Sequence, residues 1–222
     1  DGISADGRRI VSGSADGTVR VWRMPQVRPF VRPDSWWASH VAASADLNRV
    51  ATVAGGTVQV WSQGSADAIA SIVGPQFGSS DSSSGALSMS ADGRRVVWNT
   101  GEDAIRVWNV GEPNATVLGR HGRSVTALAV SPDGTRVASA AVGNTEDHTV
   151  RIWDVESARP LHVLTQPGRI DALVFSADGK RLAGGVDTAL VVWDAESGSV
   201  LFKADGHQSQ IDLLTFSPNG QR

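Results

Sequence analysis

The sequence predicts an all-β fold of short, four-stranded antiparallel sheets stacked side by side. Two periodic markers and one strand pattern predict it. A turn of Ser, then Ala or Pro, then Asp or Asn recurs at Ser4, Ser44, Ser90, Ser131, Ser176 and Ser217, spaced 40–46 residues apart. A tryptophan follows each of the first five turns, at Trp22, Trp61, Trp108, Trp153 and Trp193, spaced 39–47 residues apart. A period in this range fits one repeated unit of four strands. The segments before the tryptophans are Thr18–Trp22, Thr57–Trp61, Ala104–Trp108, Thr149–Trp153 and Ala189–Trp193. They alternate with period two, and a strand with β-branched residues on one face and Trp on the other is buried on both.

The fourth unit shows each element in order. Ser124–Val130 alternates toward Val125, Leu128 and Val130 and reads as the first strand, a. Ser131-Pro132-Asp133-Gly134 is a tight turn, in which Pro presets φ and Gly supplies a positive φ. Arg136–Ala140, Thr149–Trp153 and Pro160–Leu164 read as strands b, c and d. The units span approximately 1–33, 34–79, 80–120, 121–165 and 166–206, with the start of a sixth at 207–222. The first unit is expected to lack strand a, and about Gln210 to Phe216 is expected to be strand a of the sixth. The second turn departs, with Leu47 where Gly is expected and Asn48 as the candidate for the positive φ.

Composition narrows the function classes. The 222 residues carry a net charge of −3, so no basic excess points to nucleic acid or an anionic membrane. There are no cysteines, which excludes disulfides and thiolate metal sites and fits a cytoplasmic location. No apolar run approaches the roughly 18 residues of a membrane span. No phosphate-binding Gly-Lys loop, His-Glu-x-x-His or Gly-x-Ser-x-Gly is present. The five histidines, His40, His121, His148, His162 and His207, form no ligand-spaced pair, and no cofactor is expected. Asp171 and Asp212 both lie five residues before a turn serine, on the innermost strand. They could hold a cation or act as an acid/base pair, but solvated polar residues are the plainer reading.

The pattern resembles the WD-repeat family over essentially the whole chain. The name-giving pair survives as Trp153-Asp154 and Trp193-Asp194, and becomes Trp22-Arg23, Trp61-Ser62 and Trp108-Asn109 elsewhere. The resemblance implies a β-propeller of four-stranded antiparallel blades with five repeat units, expected to be an excerpt of a larger, for example seven-bladed, propeller. It also implies a hydrogen-bonded tetrad of His, Ser or Thr, Asp and Trp in each blade. The His position holds Asp34, Ser80, His121, Gln166 and His207, and the strand-b position holds Ser12, Thr52, Trp98, Ser139 and Gly184. The turn acid position holds Asp16, Gly55, Glu102, Asp147 and Asp187. Only the fourth unit is complete, with His121, Ser139, Asp147 and Trp153; the first has Ser12, Asp16 and Trp22.

Loop length carries the functional reading. The d–a loop near Gly74–Gly85 and the b–c loop Val142–His148 are the two long outliers, and both belong to one end of the sheets. Insertions on one face of a repeat array often mark its binding side. Trp36 and Trp37 at the start of a strand a, Phe77 in the Ser-rich loop, and Asn144 and Glu146 in the b–c loop are the candidate partner-binding residues. Arg20, Arg106 and Arg151, two residues before a Trp, form a structural stripe suited to stacking between blades. Trp98 is expected to pack between blades.

The expected function is a non-catalytic scaffold or sensor that binds a protein partner, with no nucleic acid and no membrane. The close mutual similarity of the repeats and the heavy Arg, Ala, Val and Gly usage resemble bacterial, particularly actinobacterial, WD-repeat arrays. Those are often fused to STAND-type ATPases or kinases, so a catalytic domain outside this segment is implied. The alternatives are a propeller hydrolase or lactonase with a channel metal, and a structural spacer with no partner.

Overall fold

The computed structural model describes residues 2–3, 9–13, 19–23, 27–30, 40–54, 56–65, 67–73, 86–99, 103–141 and 148–217. They form five four-stranded antiparallel sheets, and no helix occurs among the described residues. The first sheet is β1 (Gly2–Ile3), β2 (Arg9–Gly13), β3 (Val19–Arg23) and β4 (Val27–Phe30). The second is β5 (His40–Ala43), β6 (Arg49–Ala54), β7 (Thr57–Ser62) and β8 (Ala70–Val73). The third is β9 (Leu87–Met89), β10 (Arg95–Asn99), β11 (Ala104–Asn109) and β12 (Thr116–Arg120). The fourth is β13 (Val125–Val130), β14 (Arg136–Ala141), β15 (Thr149–Asp154) and β16 (Arg159–Thr165). The fifth is β17 (Ile170–Phe175), β18 (Arg181–Val186), β19 (Ala189–Asp194) and β20 (Val200–Asp205). In every sheet each strand pairs with its neighbour in the chain, giving the order a-b-c-d. Each is a four-stranded up-and-down antiparallel sheet, the form expected of a propeller blade.

Within the array, the two middle strands of a sheet bury apolar residues on both faces because a neighbouring sheet covers each. In all five sheets the Trp of strand c pairs with an aliphatic residue of strand b: Trp22 with Ile10, Trp61 with Val50, Trp108 with Val96, Trp153 with Val137 and Trp193 with Leu182. This Trp-bearing back face packs on the front face of the preceding sheet. Val97, Ile105 and Val107 thus meet Val125, Val137 and Trp153 across the third joint. Ala138, Ala140, Val150 and Ile152 meet Leu182, Val186 and Trp193 across the fourth. Ala51, Val53, Val58 and Val60 meet Val96, Trp98 and Trp108 across the second, which places Trp98 between blades.

Three details differ from expectation. The first sheet has a strand a, because Gly2 and Ile3 pair with Val11 and Ile10 and two residues suffice for that short ladder. The positive φ of the second turn falls on Leu47 itself, at 55°, and not on Asn48. A left-handed L-residue costs about 1–2 kcal/mol, but Leu47 is buried with Val11, Val21 and Val50 between the first two blades. Burying a leucine contributes roughly 1.5–3 kcal/mol, which offsets the backbone term. Lastly, residues 206–217 form no strand. The Ile211 N–H reaches the Asp187 carbonyl at 3.1 Å and its side chain seats against Gly185, but no neighbouring strand pairs with it among the described residues.

Candidate interaction face

An up-and-down sheet gathers its a–b and c–d connections at one end and its d–a and b–c connections at the other. The first end is chemically uniform. Its described a–b turns, 44–48, 90–94, 131–135 and 176–180, are all five residues long. In each, the serine Oγ donates to the Asp Oδ1: Ser44 to Asp46 at 2.6 Å, Ser90 to Asp92 at 2.6 Å, Ser131 to Asp133 at 2.5 Å and Ser176 to Asp178 at 2.6 Å. The same Oδ1 accepts the N–H two residues on, from Asn48, Arg94, Thr135 and Lys180, at 2.9–3.0 Å. The serine Oγ accepts the N–H of Arg49, Arg95, Arg136 and Arg181 at 2.9–3.0 Å, which fixes the start of strand b.

These bonds favour the ionised carboxylate. The Ser176 hydroxyl, then the Lys180 N–H, hold Asp178 below its ordinary range. Partial burial pushes Asp92 and Asp133 up, yet the hydroxyls of Ser90 and Ser131 and the following N–H groups outweigh it and leave both lowered. At the c–d turns the Ser157 hydroxyl lowers Asp154, and the Ser197 N–H and hydroxyl lower Asp194.

Arginines at the head of strand b join these turns across the joints. Arg49 Nη1 donates to the Gly93 carbonyl at 3.2 Å, and Arg95 Nη1 to the Gly134 carbonyl. Arg136 donates to the carbonyls of Gly179 at 2.8 Å and Ala195 at 3.0 Å, with its guanidinium 6.0 Å from the Phe175 ring. The turns also bond directly, Ala45 N–H to the Ala91 carbonyl at 2.9 Å and Ala91 N–H to the Pro132 carbonyl at 3.2 Å. Sequence reasoning missed this clasp although its signal is plain: an arginine stands five residues after every turn serine, at Arg9, Arg49, Arg95, Arg136, Arg181 and Arg222.

The opposite end varies. Its d–a connections run from four residues (121–124 and 166–169) through nine (31–39) to thirteen (74–86). Its b–c connections run from two (55–56 and 187–188) to seven (142–148). The c–d connections of the first end range more narrowly, from three (24–26) to seven (63–69).

Beneath the variable end lies a buried polar layer. His121 Nε2 is 2.6 Å from Ser139 Oγ, which accepts the Trp153 indole N–H at 2.7 Å, and the two rings meet edge-on at 6.0 Å. In the second blade Thr52 Oγ1 accepts the Trp61 indole N–H at 2.9 Å. In the third, Trp98 occupies the hydroxyl position and the Trp108 indole N–H turns to the Glu112 carbonyl at 2.8 Å. In the fifth the position is Gly184, and a Cβ there would stand 2.8 Å from the Trp193 ring. Two residues tie connection to connection. Asn99 accepts the Ala86 N–H at 2.6 Å and donates to the Val125 carbonyl at 3.0 Å, and Asp187 accepts the Arg169 N–H at 3.0 Å. Asn99 was not expected from sequence, because it lies one residue past the hydroxyl position.

Asp147 and Asp16 lie outside the described residues, as do the candidate partner-binding Trp36, Trp37, Phe77, Asn144 and Glu146. Ser12 and Trp22 stand on β2 and β3, with their side chains outside the described set. Asp171 is taken up by its own loop, since its carboxylate lies 2.7 Å from Arg169 Nε. Asp212 is exposed in the segment after β20. Arg151 of the stripe lies over its own blade's Trp153 at 5.8 Å and donates to the Arg120 carbonyl of the preceding blade at 2.8 Å.

Three segments match the family described as WD domain, G-beta repeat: residues 2–23, 111–154 and 158–194. Each match ends on a strand c, and the latter two begin beside the strand d of the preceding sheet, so the sequence repeat straddles a joint between blades. No curated protein matches the chain. The periodic Trp, the shared turn chemistry and these three matches agree: over residues 2–23, 111–154 and 158–194 the chain is similar to the WD domain, G-beta repeat.

Proposed function

We propose that the chain is a non-catalytic scaffold that holds a protein partner on the end formed by its d–a and b–c connections. WD40 repeats generally act as protein-interaction scaffolds rather than catalysts. The observation that carries the choice of face is the contrast between the two ends. The described a–b turns of one end are all five residues long with the same Ser-x-Asp bonding, and its c–d connections run from three to seven residues, while the other end has d–a connections of four to thirteen residues. A fixed frame with variable connections at one end is how a rigid support presents a specific surface. Trp36, Trp37, Phe77, Asn144 and Glu146 all belong to those connections.

The test is partner capture with the purified chain as bait, followed by cross-linking and mass spectrometry. We expect the double variant Trp36→Ala/Trp37→Ala, or shortening of residues 74–85, to reduce specific partner recovery at least tenfold while the circular dichroism spectrum stays that of a β protein. Unchanged recovery from both variants would remove the interaction from this face. We further propose a cytoplasmic, bacterial setting as the sensor portion of a signalling protein that carries a STAND-type ATPase or kinase domain. The repeat composition and the absence of cysteine support this setting. The parent reading frame tests it.

A further inference from the structure

The polar layer beneath the variable end is engaged in the fourth blade and unmet in the third. In the fourth, Ser139 stands directly across from Arg151. Ser139 bonds His121 and Trp153, while Arg151 lies over Trp153 and donates through Nη1 to the Arg120 carbonyl of the preceding blade. In the second, Thr52 stands across from the uncharged Gln59 and accepts the Trp61 indole N–H. In the third, the same register sets Trp98 across from Arg106, two donors with no acceptor between them. Trp98 is 1% exposed and its indole N–H has no partner, and the buried Arg106 Nε has none either. The half-buried Arg106 makes no hydrogen bond, ion pair or ring contact among the described residues. Trp108, the counterpart of the ring beneath Arg151, instead directs its N–H to the Glu112 carbonyl. The Trp193 N–H of the fifth blade is also unmet, but Gly184 there faces the apolar Val191, so no charge accompanies it.

We infer that Arg106, with the Trp98 indole N–H beside it, is a carboxylate-binding site in the joint between the second and third blades, and that the protein partner presents an acidic side chain to it. Directly opposed residues of an antiparallel pair hold their Cβ atoms about 5 Å apart, so the two donors belong to one locus. An unmet buried donor is costly, and more so when it is charged, so this locus favours an incoming acceptor. A guanidinium whose stem is fixed in a joint is preorganised for an oxyanion, because its planar fork matches two oxygens. The joint is also the one spanned by the thirteen-residue d–a connection 74–86. The partner as occupant rests on the proposed binding face, whereas the anion site rests on the unmet donors alone.

Titration of sodium acetate into the nitrogen-15-labelled chain at constant ionic strength tests this, read by NMR at the Arg106 Nε–H and the Trp98 indole N–H. Arg106→Gln and Trp98→Phe assign the two signals, and circular dichroism verifies that each variant folds. Both signals should shift together and saturate, with half-saturation at about 50 mM acetate or below, while the Arg151 Nε–H stays in place. Melting temperature should rise with acetate for the wild type and not for Arg106→Gln. Without acetate, Arg106→Gln should melt no lower than wild type, because the charge it removes has no partner. Arg151→Gln should melt lower, because it loses the bond to the Arg120 carbonyl. That contrast separates a binding role from a structural one. The absence of a saturable shift up to about 200 mM acetate overturns the site. So does an equal response to sodium chloride, or a Trp98 shift that persists in Arg106→Gln. Inorganic phosphate that binds at least tenfold more tightly than acetate overturns the carboxylate assignment. An acetate response alongside unchanged partner recovery from the Trp36→Ala/Trp37→Ala and shortened-connection variants overturns the partner as occupant and leaves the anion site. Loss of the partner in those variants without an acetate response defeats the anion site alone.

Discussion

Among the described residues of the fourth blade, Ser139 is the hydroxyl that serves two buried rings at once, His121 and the Trp153 indole. Removing it leaves both rings short of a partner in a site closed to water, and an orphaned buried donor costs about 1–3 kcal/mol. Ser139→Ala should therefore destabilise the chain by about 2–4 kcal/mol, measured by urea unfolding followed by tryptophan fluorescence. Ser139→Thr should retain most of that stability, because Thr52 does the same work for Trp61 in the second blade. A loss from Thr equal to that from Ala would show that packing volume, not the hydroxyl, governs the site. Leu47 poses the opposite balance, with a strained backbone held by a buried side chain. Leu47→Gly relieves the left-handed strain and Leu47→Ala keeps it, while both lose the burial. Gly should thus be less destabilising than Ala by about 1 kcal/mol, against the usual order of the two residues. The Ser, Thr and Trp positions were readable from spacing alone. Leu47's φ was not, because sequence favours a left-handed Asn over a left-handed Leu and cannot show that a neighbouring blade covers that leucine.

The turns and strands carry the next level of consequence. Asp92, Asp133, Asp154, Asp178 and Asp194 all titrate below their ordinary value in the fold. A depressed folded-state carboxyl stabilises above the unfolded value and loses that contribution as pH falls through the folded value. Melting temperature should hold level from pH 7 to about 5 and then fall steadily below about pH 4. Asp178→Asn should flatten part of that fall, and an identical acid slope in the variant would exclude this turn as a source. On the strands, the tightest approach is Gly119 on β12, where a Cβ would overlap the ring of Trp153. Gly119→Ala must displace that tryptophan from the His121–Ser139 layer, so a destabilisation of about 2–4 kcal/mol is expected in the same urea assay. The strand spans of the fourth unit were legible to within a residue because a period of two and a Ser-x-Asp-Gly turn bracket each element. Gly119 was not legible, because it lies on strand d, whose exposed outer residues dilute the alternation. Asn99 escaped for a related reason, since it sits beyond the register at which the family pattern places its polar residue.

At the level of the whole molecule, the blades are held by one repeated device, the arginine that reaches from the head of a strand b to the turn of the next blade. Arg136 makes the fullest version, bonding Gly179 and Ala195 and lying over Phe175. Lysine has one charged point where arginine has a planar fork, so Arg136→Lys cannot keep both carbonyls. It should lower stability by about 1–2 kcal/mol, and hydrogen exchange should show the fifth blade losing protection before the third. Uniform loss across all blades would mean that the array opens as one unit. The side-by-side stacking of sheets was legible in the sequence because strand c is apolar on both faces. The clasp was overlooked despite its constant offset of five residues from each turn serine, since an arginine at a strand start reads as a solvated charge until the next blade's carbonyl is placed beside it. The candidate partner residues stand on connections whose lengths follow no period, and periodicity cannot say where such side chains lie.

The a-b-c-d order of every sheet also determines how the chain can reach its fold. Each ladder joins strands that are neighbours in sequence, so a complete sheet needs only about 40 residues of chain and no distant partner. Loop-closure entropy stays small for such short separations, and the long-range pairing that slows many β-proteins is absent from the ladders themselves. During synthesis, a sheet can therefore zip as soon as its fourth strand is free, and it then offers its front face as a ready template on which the next sheet's tryptophan face condenses. Assembly would run along the chain like successive tiles, with the nascent polypeptide never carrying more than one uncovered front face at a time.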